Sequence, residues 1–396
     1  MCLPTLFKSS IFRQSITALF FDLGGLLSGT AAAIYYPMFG NPVWILLLFT
    51  PLLTVRGNIG GILSGKLGTM LHLGLIRPSL FKNTREYYSL IKAVFSLTFF
   101  DTLVIGAISF ALNYLLGLVS LNHLPYFILI PPLSCLSAIL ISAPIASLVG
   151  IEVFKRGLDP DIFLYPIMST LDDILITLCY FTVAGFIIRF ENFSLIFFIL
   201  ALLMLYFIFI VLRHKREPIF KRTLLEGAPT VVLASLFGIF GGMGLASIRR
   251  EIERVPSILI IYPALIDALG DIGSIIGSME TTKLALGYTT SLTKTLRETF
   301  ADLISVECAA FVIHIIFSII GFALGGLQTL PLLLHLISIT LTSNVISFLF
   351  ISSFSLTVAT QTFKHGLDPD NFVIPLVASV SDVTATLSLV AAIRIF

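Results

Sequence analysis

Gly157-Leu158-Asp159-Pro160-Asp161, followed by Pro166 and Asp173, recurs as Gly366-Leu367-Asp368-Pro369-Asp370, Pro375 and Asp382, with every interval unchanged. Seven matched positions at fixed spacing mark a duplicated unit. In each copy the last acid follows the Asp-Pro step inside an otherwise apolar run. At about 1.5 Å per residue it lies roughly 20 Å along the helix, near the middle of a hydrocarbon layer about 30 Å thick. A carboxylate is expensive there, so Asp173 and Asp382 are the first candidates for function.

The rest of the chain agrees with a membrane setting. Of its 396 residues, 57% are hydrophobic and only 12% charged, and the mean hydropathy is +1.03. That composition excludes a soluble core wrapped in a solvated surface. No ten-residue alternation suggests a barrel, so the predicted fold is an all-α polytopic membrane protein. Hydropathy gives about eleven transmembrane segments, near 16–39, 43–75, 88–118, 125–155, 160–189, 194–212, 227–247, 256–290, 298–326, 331–363 and 370–393. Lys8 and Arg13 precede the first run, which reads as a retained helix rather than a cleaved signal.

The duplication divides the chain into a first five-helix repeat (16–190), a transmembrane linker helix with a basic connector (191–226) and a second five-helix repeat (227–396). Two odd-numbered repeats joined directly would point in opposite directions. The extra helix restores a common orientation, so a pseudo-two-fold axis along the membrane normal is expected. Most basic residues, among them Arg77, Lys82, Arg85, Lys155, Arg156, Arg213, Lys215, Arg216 and Lys364, fall in alternate loops. This predicts a cell-membrane protein with the N-terminus cytoplasmic and the C-terminus outside.

Within the repeated block, Asp159 and Asp368 suit helix N-caps and Pro160 and Pro369 suit the first helical position, which accounts for these residues structurally. Two further pairs align. Pro51 with Gly57-Asn58-Ile59-Gly60 matches Pro263 with Gly270-Asp271-Ile272-Gly273, and Phe99-Phe100-Asp101 matches Phe300-Ala301-Asp302. Proline and glycine in a long apolar segment read as a broken helix whose freed carbonyls suit a cation, or else as a glycine packing contact. Asp101 and Asp302 read equally as ion ligands or as buried partners of Arg56 or Lys66.

Each half thus offers Asn58 or Asp271, Asp101 or Asp302, and Asp173 or Asp382 as metal-ligating candidates. Oxygen donors without a Cys or His cluster suit a hard divalent cation, and so few acids suit partly hydrated Mg²⁺. Cys2, Cys135, Cys179 and Cys308 are scattered without metal-ligand spacing and read as small hydrophobes. The six histidines likewise show no such spacing.

These blocks resemble the membrane domain of the MgtE magnesium channels and, because it is duplicated in one chain, the related solute-carrier 41 transporters. The resemblance covers everything except the sixth segment and the first fifteen residues. It implies a five-helix repeat, a pore at the interface of two repeats, and a fifth-helix acid binding partly hydrated Mg²⁺. That role falls here on Asp173 and Asp382, with Asn58 and Asp271 alongside. Two departures stand out. No hydrophilic stretch is long enough for the channels' cytoplasmic regulatory domains, and Asp271 replaces the family's Asn in the second half.

The expected function is divalent-cation transport, with Mg²⁺ as transported substrate and no cofactor. The alternative is a Na⁺- or H⁺-coupled exchanger, its coupling ion on Asp101, Asp302 or Asp172. An enzyme is not expected, since no nucleotide, Ser/His or HExxH motif is present, and no basic-aromatic surface suits nucleic acid. The lipid bilayer is the surrounding partner, and a monomer suffices for one pore. Lys66 and Glu280, at nearly equivalent heights, are a candidate gate latch.

Overall fold

The computed structural model describes residues 10–79, 82–156, 160–190, 192–285, 292–326, 329–365 and 370–396. Much of the repeated block lies outside the description. Gly157, Leu158, Asp159 and Gly366 to Pro369 are not covered, nor are the side chains of Pro160, Asp161, Pro166, Asp370 and Pro375.

Among the described residues the elements are helical throughout. They are α1 (Ser10–Phe20), α2 (Gly25–Met38), α3 (Val43–His72), α4 (Arg85–Leu115), α5 (Leu124–Lys155), α6 (Pro160–Phe190), α7 (Phe193–His214), α8 (Pro218–Ser247), α9 (Arg249–Arg254), α10 (Ser257–Ala285), α11 (Leu292–Leu324), α12 (Leu330–Lys364) and α13 (Asp370–Ile395). A 3₁₀ turn over Phe21–Gly24 joins α1 to α2 and carries the buried Asp22. Eleven helical spans are long and apolar enough to cross a membrane, with α1 and α2 counting as one. The chain is an all-α multi-pass membrane protein.

Two compact units are present. One combines Met1–Ala33 with Ser247–Phe396, and the other is Ile34–Ala246. They cut across the sequence repeats, because the opening helix of each half belongs to the other half's unit. In the second unit, α8 lays Gly238 and Gly242 on α3. A methyl group at Gly238 would stand 3.0 Å from the Pro51 Cα, and one at Gly242 would stand 2.5 Å from the Leu47 carbonyl oxygen. In the first unit, α2 repeats the contact on α10. Methyl groups at Gly25 and Gly29 would meet the Ala264 nitrogen at 2.6 Å and the Ile260 carbonyl oxygen within van der Waals distance. Small-xxx-small spacing permits this backbone approach.

The same contacts correct the expectation of broken helices. α3 runs unbroken through Pro51, Gly57 and Asn58, and α10 through Pro263, Gly270 and Asp271. Proline removes one N–H and so frees the carbonyl four residues back, which belongs to Leu47 in α3 and Leu259 in α10. Those carbonyls lie against Gly242 and Gly29 respectively. A neighbouring backbone therefore covers what the proline releases, and the helix has no need to open.

α7, the extra crossing, is the most lipid-like span, with a mean hydropathy of 3.3. It docks on α4 through Phe207, stacked on Phe99 with ring centroids 4.7 Å apart. At one end of this unit Arg85 donates to Glu217 at 2.8 Å and the Ser89 hydroxyl donates to the same carboxylate at 2.7 Å. Lys92 meets His214 at 2.9 Å. Arg85, Tyr88, Lys92, Arg213, His214 and Glu217 line a cavity of about 570 Å³. Arg85, Lys92 and Arg213, all assigned to one side of the membrane from sequence, line the same cavity.

Candidate metal site

Asn58, Asp101 and Asp173 fall in one compact unit, and Asp271, Asp302 and Asp382 in the other. Each set is arranged around a close crossing of two helices. In α3 a methyl group at Gly60 would stand 2.5 Å from an Asp172 carboxylate oxygen of α6. In α10 one at Gly273 would press on Val377 and stand 3.5 Å from the Ser381 hydroxyl of α13. Asn58 lies two residues before the first crossing and Asp173 one residue after it. Asp271 and Asp382 are placed in the same way around the second.

The glycines divide the packing reading in two. Gly60 and Gly273 make helix contacts, whereas Gly57 and Gly270, each one residue before the candidate ligand, have nothing within 4 Å. Gly65, two turns beyond Gly57, is equally open. The bare flank of α3 beside Asn58 therefore presents backbone rather than side chain.

Asp173 is 6% exposed, while Asp382 and Asp271 are half-buried. Asn58 is half-buried with Nδ2 unpartnered among the described residues. Asp101 is 2% exposed and its Oδ2 has no partner among the described residues. Its sequence counterpart Asp302 differs, accepting from Lys283 of α10 at 2.6 Å. Lys283 also reaches Thr299 at 3.2 Å, and the Thr299 hydroxyl donates to Glu280 at 3.5 Å. Lys66 and Glu280, the candidate latch, belong to different units.

Arg56 bears on two expectations. It binds Asp172 at 2.5 Å and also contacts the Ser142 hydroxyl. It is therefore tied to Asp172 rather than to Asp101 or Asp302, which the sequence reads equally as ion ligands or as partners of Arg56 or Lys66. Asp172, a candidate for a coupling ion, is thus already paired with a protein cation. In the other half the corresponding positions are Leu269, Ile351 and Ser381, an almost wholly apolar version of the same three-helix junction.

Sequence comparison of the halves also passed over Asp22, Glu307 and Asn344. Only matched pairs were sought, and these residues have no matched partner. A simple scan for acids and amides inside apolar runs finds them.

Among the described residues no group of three or more His, Cys, Asp or Glu is placed to hold a metal ion. What the geometry offers is one or two carboxylates, an amide and exposed helix backbone. Such a set suits a cation that keeps much of its water.

The MgtE family, described as a divalent cation transporter, matches this chain twice, at residues 49–183 and 262–392. Each match spans the second to fifth helices of one half, with the glycine crossing at Gly60 or Gly273 and the fifth-helix acid. Solute carrier family 41 member 3 of Rattus norvegicus is 21% identical over 412 residues, covering 97% of this chain and 87% of the relative. No solved structure matches.

Proposed function

Because the chain belongs to the MgtE family of divalent cation transporters, we propose that it carries Mg²⁺ across the membrane on Asp173 and Asp382. The observation that carries this reading is the recurrence, in both family matches, of an acid one residue beyond the close crossing of the second and fifth helices. Asn58 and Asp271, two residues before the same crossings, supply further oxygen near each acid.

A divalent ion need not shed its full shell to use such a site. Carboxylates hold Mg²⁺ through its inner waters, and bare glycine flanks leave room for them. An inside-negative potential contributes about 2.3 kcal/mol per charge per 100 mV, so inward movement needs no nucleotide. Asp101 and Asp302 on the third helices are further acids of the two halves, Asp302 being held by Lys283. The basic loops, including the end of the fold around Arg85 and Arg213, face the cytoplasm on this reading, with the N-terminus inside and the C-terminus outside.

A Na⁺- or H⁺-coupled exchanger on the same scaffold is the second reading, favoured by Asp101, a buried acid with an oxygen that no described group satisfies. Flux of Mg²⁺ into proteoliposomes tests the first. Asp173→Asn with Asp382→Asn should abolish it while the protein still melts cooperatively, and undiminished flux would remove both acids from the site. Imposing a Na⁺ or pH gradient separates a coupled carrier from a passive one.

A further inference from the structure

Glu307 lies near the middle of α11 and Asn344 near the middle of α12, both within one compact unit. The Asn344 amide nitrogen donates to Glu307 Oε1 at 2.9 Å. Asn344 is 0% exposed. The two oxygens left over, Glu307 Oε2 and Asn344 Oδ1, are both buried and without a partner among the described residues. Ser343 and Ser347, one residue before Asn344 and one turn after it, are also 0% exposed with unpartnered hydroxyls.

Two buried acceptors on a hydrogen-bonded pair of side chains, each without a described donor, are costly unless a positive charge satisfies them. The described basic side chains on the helices of this unit do not supply it: on α9, Arg249 is paired with Glu253 and Arg250 and Arg254 are exposed. Lys283 of α10 is bound to Asp302. Arg13 is exposed on α1, and Lys364 and Arg394 occupy the last turns of α12 and α13. Lys294 and Arg297 of α11 lie outside the described side chains. The other titratable groups on α10 to α13 and beside α1 are Glu298, Asp302, Cys308 and His314 on α11 itself, Tyr262, Asp267, Asp271 and Glu280 on α10, His335 on α12, Asp370 and Asp382 on α13, and Asp22 in the turn after α1.

The first half has no room for such a pair. Glu307 aligns with Gly106, where a methyl group would already meet the Phe127 carbonyl oxygen and Pro131. Helix α5 contains neither Asn nor Gln. The feature is therefore particular to one half and lies outside the matched pairs that make up the divalent site.

We propose that Glu307 and Asn344 form a binding site for one monovalent cation, either Na⁺ held by Oε2 and Oδ1 or a proton shared between them. A single carboxylate with neutral oxygens balances one unit charge and leaves a divalent ion half-compensated. The site deepens the coupled-exchanger reading, but binding there does not depend on Asp173 or Asp382.

Equilibrium binding on the purified full-length protein tests this without relying on transport. In one arm radioactive Na⁺ binding is measured at fixed pH. In the other, infrared difference spectra in Na⁺-free buffer follow the stretching band of a buried protonated carboxyl. Glu307→Gln should lose one of the two signals outright, and Asn344→Ala should weaken it by about tenfold, near 1.4 kcal/mol. Loss of the Na⁺ signal identifies Na⁺, and loss of the infrared band identifies a proton. If both signals are the same in wild type and Glu307→Gln, or neither is seen in wild type, the proposal is overturned. Should Glu307→Gln fail to melt cooperatively, Asn344→Ala carries the same comparison. Mn²⁺ binding is read on the same samples. It should survive Glu307→Gln and vanish in the double variant Asp173→Asn, Asp382→Asn, so failure of the divalent site is seen separately.

Discussion

Arg56 and Asp172 form an ion pair 2.5 Å long, with side chains 1% and 2% exposed, that joins the second helix of one half to its fifth. The equivalent helices of the other half meet at Gly273, which faces Val377 and Ser381, and Leu269 stands at the position of Arg56. The chain thus contains a charged and an uncharged solution to one packing problem. Removing both charges from water offsets most of their attraction, so the charged version is not inherently the more stable.

Transplanting the uncharged solution tests that balance. Arg56→Leu or Asp172→Ser alone should each cost about 3–5 kcal/mol, because an unpaired charge is left buried. Arg56→Leu, Ser142→Ile and Asp172→Ser together should return the melting temperature to near the wild-type value. A triple variant no better than the singles would show that the pair is needed for more than its own neutralisation.

Glycines on the same helices should respond oppositely to alanine. Gly29→Ala and Gly242→Ala push a methyl group into a neighbouring backbone carbonyl and should destabilise by about 1–3 kcal/mol in thermal melts. Gly57→Ala and Gly270→Ala meet nothing within 4 Å and should leave melting unchanged or raised by up to about 1 kcal/mol. If Asn58 and Asp271 line the cation path, the latter pair should still reduce Mg²⁺ flux in liposomes.

Asp302 is held by Lys283 whereas Asp101 has no such cation, so the two matched acids should not be equivalent. Lys283→Met should leave the Asp302 carboxylate uncompensated and destabilise the protein, and adding Asp302→Asn should restore much of the loss. Asp101→Asn should by contrast be neutral or stabilising, since it removes a buried acid whose Oδ2 has no partner among the described residues. Melting temperatures of the four variants decide this.

Outside the membrane spans, burial pushes the Glu217 carboxyl up, but the Ser89 hydroxyl and the Arg85 guanidinium outweigh it and hold the carboxyl below its ordinary range. A carboxyl with a lowered folded-state value stabilises the fold fully above the unfolded value, about 4.3, and loses that contribution as pH falls through the folded value. Wild-type melting should therefore drop on acidification below about pH 4.3 more steeply than that of Glu217→Gln. Parallel pH curves for the two proteins would contradict the linkage.

The membrane class, the number of crossings and the duplication were legible because lipid forces long apolar helices and because the repeated block keeps its spacing. Asp173 and Asp382 were legible for the same reason, as matched acids in matched apolar runs. Pro51 and Pro263 misled. A proline inside a helix signals a freed carbonyl, but whether the helix opens depends on what lies against that carbonyl, and here it is a glycine of another helix. Arg56 misled in a similar way, since its reach of several carbons leaves many acids possible along the chain.

Composition and periodicity alone determined that this is a helical membrane protein built twice over, with one acid deep in each copy, because the cost of polar groups in hydrocarbon is written into every span. Tertiary structure decided which opening helix covers which proline, that Arg56 takes Asp172, and that Asn344 donates to Glu307. Those outcomes depend on side chains from distant segments meeting at distances of a few ångströms, and nothing in local sequence measures such a distance.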